Sequence, residues 1–261
     1  MSLGFAFSPC PNDTFAFHAL VHGLVPGPAV TPHLDDVESL NARAERGEAE
    51  ATKISVAAYS RIRKDYALLR AGGAAGYGVG PILVARRPGR IGGRIAVPGL
   101  RTTAALLLRI LGEFDTVPMR FERIEAAVLA GEVEGGVLIH EGRFTYQAKG
   151  LVLLRDLGAL WEERTRLPVP LGAVAIRRDL VASWARPLND AILASVAYAR
   201  RTPAVSSAYV ARHAREMDPD VIRRHIDLYV NDYTLDLDER AVLRMLDQAP
   251  ERGAAPPVFA T

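Results

Sequence analysis

The chain alternates short apolar runs with longer segments in which apolar residues recur every three or four positions. Runs such as LGFAF (3–7) and GRIAVPG (93–99) are typical of buried strands, whereas NDTFAFHALVHG (12–23) and RTTAALLLRILGEF (101–114) have the period of helices. Alternation of this kind favours an α/β fold with mostly parallel sheets. From about Val181 onward the pattern predicts helices.

The predicted strands fall into two sets, one from the beginning of the chain and one from its middle. We therefore expect two sheets, with crossings at PILVARR (81–87) and LGAVAIRRD (171–179). Residues 1–87 and 172–261 would form a discontinuous first lobe, and residues 88–171 a second lobe. Folds of this kind bind ligands at the carboxyl ends of their parallel strands, so a site is expected in the cleft between the lobes.

Composition fits an ordinary globular protein, with 261 residues, 49% hydrophobic and 24% charged. The single cysteine, Cys10, excludes an intramolecular disulfide, and no zinc-type Cys/His spacing is present. The first residues lack the basic region of a signal peptide, and the apolar segment AALLLRIL is too short to span a bilayer. We interpret the protein as cytoplasmic, with no association with membranes.

The distribution of charged residues favours a small-molecule partner. The 32 basic and 30 acidic residues nearly balance, and the arginines are scattered rather than collected in a stripe with aromatic residues. This distribution does not support nucleic-acid binding. A small anionic ligand needs only a few local donors and stays possible. The sequence does not indicate an oligomeric state.

The segment SPCPNDT (8–14) follows the first predicted strand. Its two prolines predict an extended turn without helix, with Asn12 or Asp13 as the N-cap of the next helix. This turn would lie at the rim of the cleft. A nucleophilic role for Cys10 is not favoured, because no nearby basic residue in the sequence would lower the pKa of its thiol.

Two further segments could hold an anion where a strand passes into a helix. Lys53 and Ser55 stand at such a junction in TKISVAAYS (52–60), although a surface lysine and a simple N-cap would explain them equally well. In VPGLRTTAALLL (97–108), Thr102 or Thr103 opens a helix. A threonine cap alone accounts for that pattern, but the free amides of the first turn also suit a carboxylate or a phosphate.

His140 is the most informative single residue. The run GVLIH (136–140) is predicted as a buried strand that ends on this imidazole at the mouth of the cleft, followed by Glu141 and Arg143, which could orient the ring and tune its pKa. The alternative is a core histidine bonded to a carbonyl. His225 is expected on a solvated helix face, and the sequence gives no set of residues for a metal site.

Several sequence blocks, in one order and over nearly the whole chain, are similar to those of a known family. They are SPCPNDTFAFHALVHG, TKISVAAYS, GGAAGYGVGPILVAR, VPGLRTTAALLL, GVLIHEGRFTY, DLGALWEERTRLPVPLGAVAIRRD and YVNDYTLDL. The chain thereby resembles the 1,4-dihydroxy-6-naphthoate synthase family of the futalosine route to menaquinone. The resemblance implies a two-lobed periplasmic-binding-protein type II fold that serves as an enzyme with neither a cofactor nor a metal.

The resemblance also implies a reaction and a site. Cyclic dehypoxanthine futalosine, a small carboxylate-bearing substrate, would be cleaved to 1,4-dihydroxy-6-naphthoate by a carbon–carbon lyase that releases a sugar-derived fragment. The general base carries over to His140. The ligand contacts carry over to Lys53, Ile54, Ser55, Thr103 and Ala104, with Thr102 adjacent. Two alternatives are a chorismate dehydratase-type enzyme of the same pathway and a non-catalytic small-carboxylate-binding protein.

Overall fold

A computed structural model describes residues 2–214, 218–251 and 256–260. Strands and helices alternate through its first two thirds, and helices follow. The strands are β1 Leu3–Phe7, β2 Val30–Leu34, β3 Ala51–Ser55, β4 Tyr66–Leu68, β5 Ala74–Gly76, β6 Ile82–Ala85, β7 Ile95–Val97, β8 Thr116–Pro118, β9 Gly135–Leu138, β10 Val152–Asp156 and β11 Val169–Arg177. The helices are α1 Pro11–Val21, α2 Val37–Glu45, α3 Val56–Ile62, α4 Thr103–Leu111, α5 Phe121–Ala130, α6 Gly142–Thr145, α7 Leu157–Thr165, α8 Arg186–Arg201, α9 Pro203–His213, α10 Pro219–Tyr229, α11 Asp232–Leu235 and α12 Glu239–Leu246.

The first sheet has the strand order β2-β1-β3-β11-β4, and β5 also pairs with β11. The strand β1 is parallel to β2 and β3, whereas β11 is antiparallel to its neighbours. Phe5 and Phe7 of β1 pack on Phe17 of α1 with ring centroids 5.0 and 5.2 Å apart, in edge-to-face geometry. Burial of these rings fixes α1 against the sheet and places its first turn at the carboxyl end of β1.

The second sheet has the strand order β10-β6-β9-β7-β8. The strand β7 is parallel to β8 and β9, and β6 is antiparallel to β9 and β10. Ile124 and Val128 of α5 are fully buried in a core cluster with Val84 of β6. These two sheets confirm the predicted α/β class and the expectation of two sheets. The expectation of mostly parallel strands is wrong, because β6 and β11, the strands at the two crossings, run antiparallel to their neighbours.

The chain crosses between the sheets twice. It leaves the first sheet after β5 and enters the second at β6, through residues 77–81; it returns at β11. The strand β6 therefore pairs in the second sheet, although the predicted lobe boundary at residue 87 assigns it to the first lobe. The division of the chain into lobes of stated bounds stays a prediction.

The segment MRFERI (119–124), whose pattern taken alone predicts a strand, is helical from Phe121 onward. The strand β8 ends at Pro118 and α5 begins at Phe121. The window shows apolar and polar residues close to alternation, but Phe121, Ile124 and Val128 continue with a spacing of three and four, and Ile124 and Val128 are buried. The helical period becomes visible only when the window extends past residue 124.

Candidate active site

A cavity of about 100 Å³, which opens into a wider mouth, lies between the two sheets. Residues next to strands of both sheets line this cavity. They include all of the residues that the sequence singled out, which are Lys53, Ile54, Ser55, Thr102, Thr103, Ala104 and His140.

His140 follows β9 in a backbone conformation that is unusual for a residue with a side chain. The strand ends at Leu138, so the prediction that it runs to His140 is wrong by two residues. His140 has a φ of 55°, in the left-handed region, and a short helix begins at Gly142. Non-glycine residues in this region are often found at functional sites, because surrounding packing must offset the strain.

The imidazole of His140 is enclosed by three side chains. The Sγ atom of Cys10 lies 3.5 Å from Nδ1 and 3.6 Å from Nε2. Nearly equal distances exclude a position in line with one ring nitrogen, and a position in the ring plane would make the sulfur overlap with Cε1. The sulfur therefore lies against the ring face. The ring of Phe121 meets it edge-on at 4.9 Å, and the ring of His225 stacks at 6.0 Å between centroids.

Burial lowers the pKa of His140 below its ordinary value of 6.5, and the carboxylates of Glu141 and Asp13 oppose this effect. A neutral ring with a free lone pair is the form that can accept a proton near pH 7. Arg143 does not orient the ring as was suggested. Its guanidinium donates instead to the carbonyl of Gly80 at 2.7 Å and to the carboxylate of Asp156 at 2.6 Å.

Lys53 forms a buried ion pair, which excludes the alternative of a solvated surface lysine. Its Nζ donates to Oδ1 of Asp13 at 2.7 Å and to the carbonyl of Gly72 at 2.8 Å. Both charged side chains are less than one tenth exposed. Gly72 has a φ of 83°, a conformation that glycine adopts without strain, and this turns its carbonyl toward the ammonium.

The turn before α1 reaches the cavity, as predicted, but its side chains do not cap the helix. Cys10 occupies the N-cap position without a side-chain cap, and Pro11 is the first helical residue rather than a barrier to helix. Proline suits this position because its missing N–H would have no partner in the helix. Asn12 and Asp13 are then free to line the cavity, where the hydroxyl of Ser8 donates to Asp13 at 2.8 Å.

The junction of β3 and α3 is held by Asn41. Its amide donates to the hydroxyl of Ser55 at 3.1 Å and accepts from the Ser55 amide at 2.8 Å. Ile54 precedes Ser55 and is fully buried. The pair of bonds fixes the strand end, and Lys53 and Ser55 thereby meet the cavity from one side of β3.

Helix α4 points its first turn at the cavity. Thr102 is the N-cap: its hydroxyl accepts from the amide of Ala105 at 3.2 Å and donates to the carbonyl of Gly99 at 2.7 Å. The hydroxyl of Thr103 donates to the carbonyl of Leu171 at 2.9 Å, which joins α4 to the first sheet. The positive end of the helix dipole at Thr103 and Ala104 suits an anion.

Sequence reasoning missed the contribution of helix α10. His225 is 1% exposed and lines the cavity with Tyr229, so the expectation of a solvated face is wrong. The Nε2 atom of His225 lies 2.9 Å from Oδ1 of Asn12, and the hydroxyl of Tyr229 donates to the carbonyl of Val79 at 3.0 Å. His225 and His140 are 85 positions apart in the sequence, so no local pattern connects the two rings.

In the ranges that the structure describes, no group of three or more His, Cys, Asp or Glu side chains is arranged to hold a metal ion. No helix in these ranges has the length and apolar character needed to cross a membrane.

The whole chain is similar to proteins of one biosynthetic family. A family model described as menaquinone biosynthesis matches residues 3–250. The chain is 50% identical to a 1,4-dihydroxy-6-naphthoate synthase of Thermus thermophilus, over 98% of this chain and 97% of that protein. It is 46% identical to the synthase of Streptomyces coelicolor, over 98% and 95%. The chain belongs to the 1,4-dihydroxy-6-naphthoate synthase family of menaquinone biosynthesis. It is therefore an enzyme, as predicted.

Solved structures confirm the fold expected for this synthase family. A crystal structure of a protein from Archaeoglobus fulgidus superimposes with a TM-score of 0.91 at 38% identity, over 95% of this chain and 96% of that one. The alkanesulfonate-binding protein of Xanthomonas axonopodis pv. citri superimposes with a TM-score of 0.68 at 16% identity, over 87% and 84%. The second likeness shows the two-lobed binding-protein fold alone.

Proposed function

We propose that the chain is a carbon–carbon lyase that converts cyclic dehypoxanthine futalosine to 1,4-dihydroxy-6-naphthoate and releases a small sugar-derived fragment. The observation that carries the proposal is the position of His140. Its neutral imidazole lines the same cavity as the amino-terminal end of α4 and the end of β3. A base and an anion site in one cavity suit a substrate that has an acidic carbon beside a carbonyl and a carboxylate elsewhere.

In this proposal His140 is the general base. It takes a proton beside a carbonyl group, and a positioned base of this kind typically contributes about 10²–10⁴-fold to the rate. The left-handed backbone and the contact with Cys10 hold the ring in place. Closure of the two lobes would keep water from the carbanion-like intermediate.

The substrate carboxylate would bind at the first turn of α4, near Thr102, Thr103 and Ala104. Lys53, Ile54 and Ser55 would contact the substrate from β3. The charge of Lys53 is already balanced by Asp13 inside the protein. This ion pair supports a role for the end of β3 in positioning the substrate. We place the reaction in the cytoplasm, because the relatives are biosynthetic enzymes.

Incubation of the purified chain with cyclic dehypoxanthine futalosine tests the proposal. We expect absorbance of the naphthoate to appear, and chorismate to be left unchanged under the same conditions. Consumption of chorismate would favour the chorismate dehydratase-type alternative. Binding of a small carboxylate with turnover of neither compound would favour the non-catalytic alternative.

A further inference from the structure

His225 brings a second imidazole to the cavity, and the proposed reaction assigns it no role. It lies on α10 with its ring stacked on that of His140, at an angle of 23° between the planes and 6.0 Å between centroids. Its side chain is 1% exposed. A buried imidazole beside a proposed base needs a physical explanation, since burial of a polar ring without partners is costly.

A chain of hydrogen bonds determines which nitrogen of His225 carries the proton. The carboxylate of Asp13, paired with Lys53, can only accept, so Asn12 must turn its amide nitrogen toward it, at 2.9 Å. The amide oxygen of Asn12 then faces Nε2 of His225, at 2.9 Å. An amide oxygen cannot donate, and Nε2 must therefore carry the proton.

The other nitrogen of His225 is left as an acceptor. Nδ1 is buried and has no hydrogen-bond partner within residues 2–214, 218–251 and 256–260. Burial, with the nearby His140 as a smaller cause, lowers the pKa of His225 well below its ordinary value, so the ring stays neutral near pH 7. Nδ1 therefore presents a lone pair that needs a donor.

The remaining polar side chains of this wall are already paired. Lys53, Asp13, Asn12 and Ser8 bond one another or the backbone, as described above. A lone pair on a neutral imidazole repels a carboxylate and attracts an O–H group. The cavity thus offers two kinds of contact, the amino-terminal end of α4 for an anion and the Nδ1 lone pair of His225 for a hydroxyl donor.

We propose that Nδ1 of His225 accepts a hydrogen bond from a hydroxyl group in the sugar-derived part of the substrate and so holds that part beside His140. The inference rests on the proposed function and names the substrate group that this wall recognises. Loss of one such bond should lower kcat/KM about tenfold, mainly through KM.

Two substitutions separate substrate binding from a purely structural role. In His225→Gln the side-chain amide can still donate to Asn12 but leaves no acceptor at the Nδ1 position. In His225→Asn the shorter amide can place an oxygen near that position but loses the bond to Asn12. We expect His225→Gln to lose about tenfold in kcat/KM and His225→Asn to retain most of it, despite a lower melting temperature.

Binding of 1,4-dihydroxy-6-naphthoate, which lacks the sugar-derived hydroxyls, serves as the matched ligand and should be unchanged in His225→Gln. The inference is overturned if His225→Gln keeps wild-type kcat/KM while His225→Asn loses it, or if product binding falls as much as kcat/KM. Absence of turnover by the wild-type protein would instead refute the proposed function itself. In that case, product affinity of the two variants would report only whether the cavity lining around His225 keeps its structure.

Discussion

The thiol of Cys10 lies against the face of the His140 imidazole, with Sγ 3.5 Å from Nδ1 and 3.6 Å from Nε2. The contact joins the turn after β1 to the turn after β9, so it links the two sheets at the cavity. It also gives the cysteine a role that the sequence did not indicate, as packing for the proposed base.

Cys10 should not act as a nucleophile. Burial raises the pKa of its thiol, and the carboxylate of Asp13 adds to the effect. We expect Cys10→Ala to keep kcat within about threefold and to cost about 1 kcal/mol in the free energy of unfolding. Iodoacetamide at pH 8 should modify the urea-unfolded protein quickly and the folded protein slowly. Rapid alkylation of the folded enzyme, with loss of turnover, would contradict this view.

The buried pair of Lys53 and Asp13 should be essential for stability only as a pair. We expect Lys53→Met to lower the free energy of unfolding by about 3–5 kcal/mol, because it leaves an unmatched buried carboxylate. Asp13→Asn should have a similar effect by leaving the ammonium unmatched. The double variant should be more stable than either single one in urea denaturation. Additive losses in the double variant would show that the two groups do not interact.

The hydroxyl of Thr103 should matter more for ligand affinity than for folding. Its bond to the carbonyl of Leu171 joins α4 to the first sheet, so its loss loosens the cleft rather than either core. We expect Thr103→Val to weaken binding of 1,4-dihydroxy-6-naphthoate about tenfold and the free energy of unfolding by at most about 1 kcal/mol. Thr103→Ser keeps the hydroxyl and is the control. Equal affinity of the two variants in calorimetry would remove the argument for this end of the helix.

The pH profile of kcat/KM should report the environment of His140. The base works when neutral, so activity should be lost as the pH falls through its pKa, which burial holds below 6.5. Since the carboxylate of Glu141 raises that pKa, Glu141→Gln should move the acid limb to lower pH. Glu163→Gln, at an exposed position outside the cavity, is the control. An acid limb above pH 6.5, or a shift to higher pH in Glu141→Gln, would contradict the assignment.

The sequence indicated the site well wherever a strand passes into the next segment. Lys53 and Ser55 lie at the end of a buried strand of the first sheet, whereas Thr103 and His140 follow buried strands of the second. Parallel strands bring such points to the edge of their own sheet, and here the two edges face one cavity. The resemblance to the synthase family indicated which of these residues belong to one site.

Features that depend on packing between residues far apart in the sequence could not be predicted from it. The polar run around His225 reads as a solvated face, but α10 packs on α1 and turns this ring toward Asn12. The left-handed backbone of His140 is likewise imposed by its surroundings, because its residue type does not require it. The contact of His225 with Asn12 joins residues 213 positions apart, and that of His140 with Cys10 joins residues 130 positions apart, so no short window along the chain contains either pair.

Turnover by His140→Asn tests the central claim most directly. Asparagine tolerates the left-handed backbone better than most residues and is not a base, so the variant should keep the fold and the cavity. Single-turnover assays with cyclic dehypoxanthine futalosine, alongside binding of 1,4-dihydroxy-6-naphthoate, separate chemistry from affinity. We predict unchanged product binding and a rate at least about 10²-fold below wild type. A rate close to wild type would show that the proton is taken by another group.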